Sequence, residues 1–365
     1  VDPFVLCAAS LIAVSWTSLP DVAIIGISAS ALKRTQTRGE SMTGTVRLRL
    51  RFIAAAIGLG AACASAQDFP TKPVRFVSPF APGGGTDTVG RALAPALSRA
   101  LGQNVIVENR PGASTVIGTE VVARAPADGY TVLIMSPSYT SNPFVRSKLP
   151  YDPVRDFAGV TRLVSTAMVI AAHPSVPAKN IKELVAIARA QPGMLTYGTA
   201  SVMGAQRIAG ELFKSVAKID ITHVPFNGGA PATMSALGGH TTLLVSNIVE
   251  IAPNARAGKL RALGVTTIKR SDVMPEVPTI AESGHPGFDA GNWFGTLVRA
   301  GTPKPTVDRL NAEIRRALDL PEVRDPLRSA GLAPSPTTPD EFTAFIRSEM
   351  ERNAKIIKTL NLQSE

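Results

Sequence analysis

Val74-Arg75-Phe76-Val77-Ser78-Pro79-Phe80-Ala81-Pro82-Gly83-Gly84-Gly85-Thr86-Asp87 is the stretch on which the reading of this chain turns. A β-branched and aromatic run stops at proline, three glycines follow, and Thr86 with Asp87 opens a helical pattern running to about Leu101. Strand, glycine loop and helix in that order form the repeating unit of an α/β fold. Glycines that lead from a strand into a helix expose main-chain N–H groups with no partner inside the helix, and the helix dipole adds partial positive charge there. Such a junction attracts anions. A second loop, Pro225-Phe226-Asn227-Gly228-Gly229-Ala230-Pro231, repeats the arrangement: it follows an apolar run, begins Pro-Phe and passes through glycines into a helix.

Outward from these loops the alternation continues. Further strands are expected at Val105 to Val107, Thr131 to Met135, Met168 to Ala171, Leu195 to Tyr197, Ile221 to Val224, Thr242 to Val245 and Leu260 to Val265, in largely parallel sheets. Asn180 caps a helix from Ile181 to Arg189 whose Ile181, Leu184, Val185 and Ala188 share one face, and Gly102 and Gly193 follow helix ends. After about Val298 the pattern changes to three successive helices, Pro305 to Leu318, Pro321 to Ala330 and Pro339 to Leu360, each begun by proline near its first turn.

The N-terminal part reads differently. Arg47, Arg49 and Arg51, the apolar run Phe52 to Ala62 and the small residues Ala64-Ser65-Ala66 have the order of an export signal over residues 42–66, with cleavage after Ala66. Its apolar run is about half of the roughly 20 residues that a spanning helix needs. Residues 1–41 then read as an upstream extension outside the mature protein. Both cysteines, Cys7 and Cys63, fall in this removable part, so neither disulfides nor a thiolate metal site is expected in the remainder. Without residues 1–66 the chain keeps 32 basic and 25 acidic residues, a net charge of +7. The basic residues form no run of five or more and the few aromatic residues do not interleave with arginines, which argues against nucleic-acid binding and leaves an anionic ligand as the simpler partner.

Motifs for other chemistries fail on inspection. Glu108 follows a strand about 20 residues after the glycines, as in dinucleotide-binding folds, but Thr88 stands where the third glycine belongs. No Gly-Lys-Ser or Gly-Lys-Thr follows the loops, no Gly-x-Ser-x-Gly elbow or His-Glu-x-x-His pair is present, and His173, His223, His240 and His285 are isolated from one another in sequence. No catalytic residue, cofactor or metal is therefore expected. A third junction, Tyr197-Gly198-Thr199-Ala200-Ser201-Val202-Met203-Gly204-Ala205-Gln206-Arg207, again leads from a strand into a helix and offers hydroxyl groups and a guanidinium within reach of a carboxylate.

Taken together, Phe69-Pro70-Thr71-Lys72-Pro73, Pro82 to Asp87, Val107-Glu108-Asn109-Arg110-Pro111-Gly112-Ala113, Ala127-Asp128-Gly129-Tyr130-Thr131, Pro150-Tyr151-Asp152-Pro153 and His223 to Gly228 resemble the Bug-type receptors of tripartite tricarboxylate transporters. Gly258-Lys259-Leu260-Arg261-Ala262-Leu263, Pro275-Glu276-Val277-Pro278-Thr279, Trp293-Phe294-Gly295 and Gly301-Thr302-Pro303 extend the likeness to about Leu360. The resemblance implies a two-lobed periplasmic-binding-protein fold of type II kind, hinged between its lobes, with the ligand cleft at the carboxyl ends of the strands. Residues 67–165 and 290–365 would form one lobe and 166–289 the other. It further implies a monomeric, non-enzymatic periplasmic receptor for a small carboxylate, serving integral membrane subunits. An exported enzyme using Asp87 or Glu108 as a base, or a sensor partner, remain the alternatives. The chain departs from the family pattern where relatives have Gly-Ser-x-Gly followed by His: here stand Gly198-Thr199-Ala200-Ser201 and then Arg207.

The expected ligand-binding set is accordingly Phe80, Ala81, Gly83, Gly84, Gly85, Thr86 and Asp87 in the first loop, with Ser136, Ser138 and Thr140 after the strand ending at Met135. Thr199, Ala200, Ser201 and Arg207 at the third junction and Pro225, Phe226, Asn227 and Gly228 in the second loop complete it. One carboxylate would rest on the amides of Gly83 to Thr86.

Overall fold

A computed structural model describes residues 69–362 of the chain. The export signal and the upstream extension expected over residues 1–66 lie outside the described residues. Where the sequence predicts strand β1, the structure has it at Val74–Ser78, followed by helix α1 at Gly85–Leu101, β2 at Val105–Asn109, α2 at Val116–Ala123, β3 at Thr131–Met135 and the short α3 at Pro137–Ser141. Then come β4 at Phe157–Ala172, α4 at Ile181–Ala190, β5 at Thr196–Thr199, α5 at Ala205–Ala217, β6 at Thr222–Pro225 and α6 at Gly229–Leu237. The chain closes with β7 (Leu243–Asn247), α7 (Ile248–Arg256), β8 (Arg261–Val265), β9 (Gly291–Arg299), α8 (Lys304–Asp319), α9 (Pro321–Ser329), β10 (Leu332–Pro334) and α10 (Pro339–Thr359).

Hydrogen-bonded strands run in the order β2-β1-β3-β9-β4-β7-β5-β6, with β8 and β10 also pairing β4. The flanks are parallel, β1 with β2 and β3 on one side and β5 with β6 and β7 on the other. The centre is not. β9 runs antiparallel to β3 and β4, and β4 runs antiparallel to β7, β8 and β10. The expectation of largely parallel sheets therefore needs correcting, because the predicted Met168 to Ala171 strand is only the end of a 16-residue strand, and β9, which pairs antiparallel with it, is not among the strands expected from the sequence. From Phe157 to Ala167 β4 pairs with β9, and from Met168 to Ala172 it pairs with β7 and β8, so one continuous strand serves both halves.

Burial explains the continuous apolar strands. Val74 and Phe76 of β1 pack with Val89, Leu93 and Leu97 of α1, whereas the intervening Val77 packs with Val116, Leu133 and Met135 on the other face. A strand covered by helices on both sides reads as an unbroken hydrophobic run. α4 follows its predicted pattern: the Asn180 side chain accepts from the Glu183 N–H at 2.9 Å, and Ile181, Leu184, Val185 and Ala188 face Phe213, Leu243 and Ile280. Gly102 takes the left-handed conformation at φ 68° that ends α1.

Packing at the centre is tight enough to exclude a methyl group. A Cβ at Gly295, in the middle of β9, would lie within the Phe342 ring, which is wholly buried, whereas one at Gly291 would meet only the Thr267 methyl at 3.9 Å. Gly295→Ala should therefore lower unfolding stability by about 1–3 kcal/mol, the usual cost of overpacking, while Gly291→Ala should change it by less than about 0.5 kcal/mol. Urea denaturation of the two variants checks this, and equal midpoints would contradict it.

Candidate functional site

The carboxyl ends of β1, β6 and β7 each turn directly into a helix, and the three junctions meet. Between β1 and α1 the loop is braced internally: Ser78 and Thr86 hydroxyls are 2.9 Å apart, and the Asn109 amide donates to the Phe80 carbonyl at 3.1 Å. Between β6 and α6 the second loop faces it, and the Ala81 N–H donates to the Asn227 carbonyl at 3.1 Å. Gly228 sits at φ 140°, and a Cβ there would approach the Ala81 nitrogen to 3.1 Å. The two Pro-Phe loops are thus in main-chain contact, which only small residues allow.

The third junction supplies the charge. Asn247 caps α7, and Glu250, three residues on, folds back in a capping box. One carboxylate oxygen of Glu250, Oε2, accepts from the Asn247 N–H at 3.0 Å, from the Asn247 side-chain amide at 3.1 Å and from the Ser246 hydroxyl. The other, Oε1, accepts from the Gly85 N–H at 3.1 Å, the first residue of α1. Gly229, the first residue of α6, lies so close that any Cβ there would collide with this carboxylate. Three helix N-termini therefore converge on one buried anion, the arrangement that dipoles and unpaired N–H groups favour. Burial pulls the Glu250 carboxyl upward from its ordinary range against the pull of those donors.

A small cavity opens beside this carboxylate, lined by Phe80, Gly84, Gly85, Thr86, Ser136, Ala200, Gln206, Gly229, Asn247, Glu250, Asn292 and Phe294. Phe80 and Phe294 provide apolar walls, and the amide and hydroxyl groups provide a few directed polar contacts, the usual make-up of a small-ligand site. The Asn292 amide donates to the Asn247 side-chain oxygen at 2.6 Å, which couples β9 to the α7 cap. A wider depression bounded by Arg256, Arg261 and Glu276 does not touch the glycine loops.

Six of the predicted residues, Phe80, Gly84, Gly85, Thr86, Ser136 and Ala200, line the cavity. The picture of open amides from Gly83 to Thr86 requires correction. The Gly83 N–H donates to the Asp87 carboxylate at 2.9 Å, and the Gly85 N–H is taken by Glu250. Asp87 is a buried cap held by Arg91 at 2.9 Å, and although burial raises its carboxyl, Arg91, the Gly83 N–H and Asn109 outweigh this and hold it below its ordinary range. Ser138 and Ser201 meet hydroxyl to hydroxyl at 3.1 Å, and Ser201 also donates to the Met203 carbonyl. Thr140 bonds the Pro137 carbonyl and the Asn353 amide, on the side of α10.

Arg207 does not reach into the cavity; its guanidinium donates to the Val202 carbonyl at 2.9 Å, and the residue is 6% exposed. Thr199 likewise turns away, with its hydroxyl 2.7 Å from His223 Nε2. Ala81, Pro225, Phe226, Asn227 and Gly228 shape the loops without lining the cavity. The cavity-lining Gln206, Gly229, Asn247, Glu250, Asn292 and Phe294 were not singled out from the sequence. Only Asn247-Ile248-Val249-Glu250 carried a usable signal, as a capping pattern directly after a predicted strand. Among the described residues no cluster of His, Cys, Asp and Glu is placed to hold a metal, and no helix is long and apolar enough to cross a membrane.

His223 behaves as a packed side chain. Burial, and then the positive charges of Arg207 and Lys214, push its imidazole down to about 3. In the unfolded chain it takes up a proton near pH 6.5. Its contribution to stability is thus complete above pH 6.5 and is lost as pH falls toward 3, roughly 4–5 kcal/mol over that window. His223→Gln, which keeps a partner for Thr199, should flatten the fall in Tm between pH 6.5 and 4, as followed by thermal denaturation; an unchanged slope would remove His223 as the cause.

Comparison with known proteins gives consistent results. Residues 89–362 match the model of the tripartite tricarboxylate transporter family receptor. Protein BugT of Bordetella pertussis (strain Tohama I) is 34% identical over 300 residues, covering 82% of this chain and 92% of BugT. The structure of R. palustris Rpa4515 with adipate superposes with a TM-score of 0.79 at 34% identity, over 81% of this chain and 99% of that one. The periplasmic binding protein BugD gives a TM-score of 0.78 at 31% identity, over 81% of this chain and 100% of BugD.

Proposed function

Because the chain belongs to the tripartite tricarboxylate transporter receptor family, whose members are solute-binding proteins with a two-lobed periplasmic-binding-protein fold and not enzymes, we propose that it is a periplasmic receptor. It captures a small carboxylate and delivers it to the integral membrane subunits of a tripartite tricarboxylate-type transporter, acting as a monomer. The observation that carries this reading is a cavity at the meeting of three strand-to-helix junctions, with apolar walls and a few directed polar groups, the make-up of a small-ligand site. The adipate bound by Rpa4515 supports a carboxylate as the ligand class. The basic, apolar and small-residue segments of residues 42–66 support export.

The lobes divide at the long central strands. Residues 67–165 and 290–365 make one and 166–289 the other; in support, Met168 and Ile170 belong to one buried cluster with Phe288, while Val160, Leu163 and Val164 belong to another with Phe294. β4 and β9 then act as the hinge strands. Ligand favours the closed form because only that form contacts it from both sides. The Ser138 and Ser201 hydroxyls, one from each lobe, form a direct contact across the cleft, worth about 1 kcal/mol.

A thermal-shift screen of the purified protein against mono-, di- and tricarboxylates tests the reading. A bound acid at 100 times its Kd should add about 2.7 kcal/mol and raise Tm by roughly 4 °C. Melting curves unmoved by every acid would exclude a carboxylate receptor.

A further inference from the structure

Glu250 places a carboxylate where a receptor for simple acids would want none. Its residue is 8% exposed, it lines the cavity, and every group within hydrogen-bond distance of it is an uncharged donor or a hydroxyl: the Gly85 N–H, the Asn247 N–H and side-chain amide, and the Ser246 hydroxyl. That donor set is built for the ionised form, since an amide N–H has nothing to offer a carboxyl proton. Oε2 is saturated by three donors. Oε1 has one, from Gly85, and so keeps accepting capacity toward the cavity.

A buried carboxylate held only by neutral groups is costly, and it repels a second carboxylate brought into a dry cleft beside it. A cation or strong donor opposite Oε1 removes both costs. The cavity can meet such a ligand's own acid group elsewhere, through Thr86, Ser136, Gln206 and Asn292. Resting on the receptor reading above, we infer that Glu250 determines specificity, selecting a small acid that also carries an ammonium group and seating that ammonium against Oε1 next to the Gly85 loop. Plain dicarboxylates of the same length are disfavoured by the same charge. Gly229 enforces the placement, because any side chain there would displace the Glu250 carboxylate from the junction.

Matched pairs of acids decide the matter. Isothermal titration of the purified protein with succinate against aspartate, glutarate against glutamate, and adipate against 2-aminoadipate should show the aminated member binding at least about tenfold more tightly in the pair of fitting length. Glu250→Gln should bring that ratio close to one, and Glu250→Asp should preserve its direction with a smaller value. Equal or tighter binding of the unsubstituted diacid to the wild-type protein overturns the inference and leaves the receptor reading standing. A ratio unchanged in a folded Glu250→Gln variant overturns it as well. If none of these acids binds and the wider carboxylate screen is also silent, the receptor reading fails and takes the inference with it.

Discussion

The first turn of an α-helix leaves N–H groups that no residue of that helix can satisfy, and this chain brings three such turns to one point. α1, α6 and α7 start from the ends of β1, β6 and β7, and the glycines at 84, 85, 228 and 229 let the starts approach until main chain touches main chain. Partial positive charge gathered in this way needs an anion. Within the chain itself the Glu250 carboxylate meets that need, and the cavity lies beside it, where a guest faces that carboxylate as well as the remaining polar groups. The cap of α7 and the Gly85 contact satisfy two of those N–H groups with one carboxylate.

The strands that carry the junctions are tied together by β4 and β9, whose pairing spans Phe157–Ala167 and Gly291–Arg299. A strand that changes partners partway along its length transmits bending without breaking its hydrogen bonds, because each half keeps a complete ladder. Trp293 beside the crossing is anchored by its indole N–H to Glu349 of α10, and Asn292 next to it holds the Asn247 cap. The C-terminal helix is thereby linked, through adjacent residues of β9, to Asn292 at the cavity.

Several side chains with chemical potential turn out to serve packing. Arg207, Thr199 and His223 form a buried group around the end of β5, where the imidazole is kept neutral and the guanidinium is held by a main-chain carbonyl. Asp87 completes the turn at Gly83 and pairs with Arg91. Neither arrangement presents a base to the cavity.

The local elements were legible in the amino-acid order because they depend on local causes. β1 and β3 have the bounds that their apolar runs predict, Asn180 caps α4, and the glycine loops mark strand-to-helix turns. Six cavity residues could be named from the ends of predicted strands, four of them in the first glycine loop. What only the tertiary structure decided is which distant groups meet there. Glu250 lies 165 positions from the Gly85 N–H it accepts, and Asn292 and Phe294 reach the cavity from a strand that pairs antiparallel in the middle of the sheet. Hydrophobic periodicity and capping patterns report a residue's own segment; a carboxylate that occupies another helix's N-terminus is a consequence of strand order, and strand order is settled by long-range pairing.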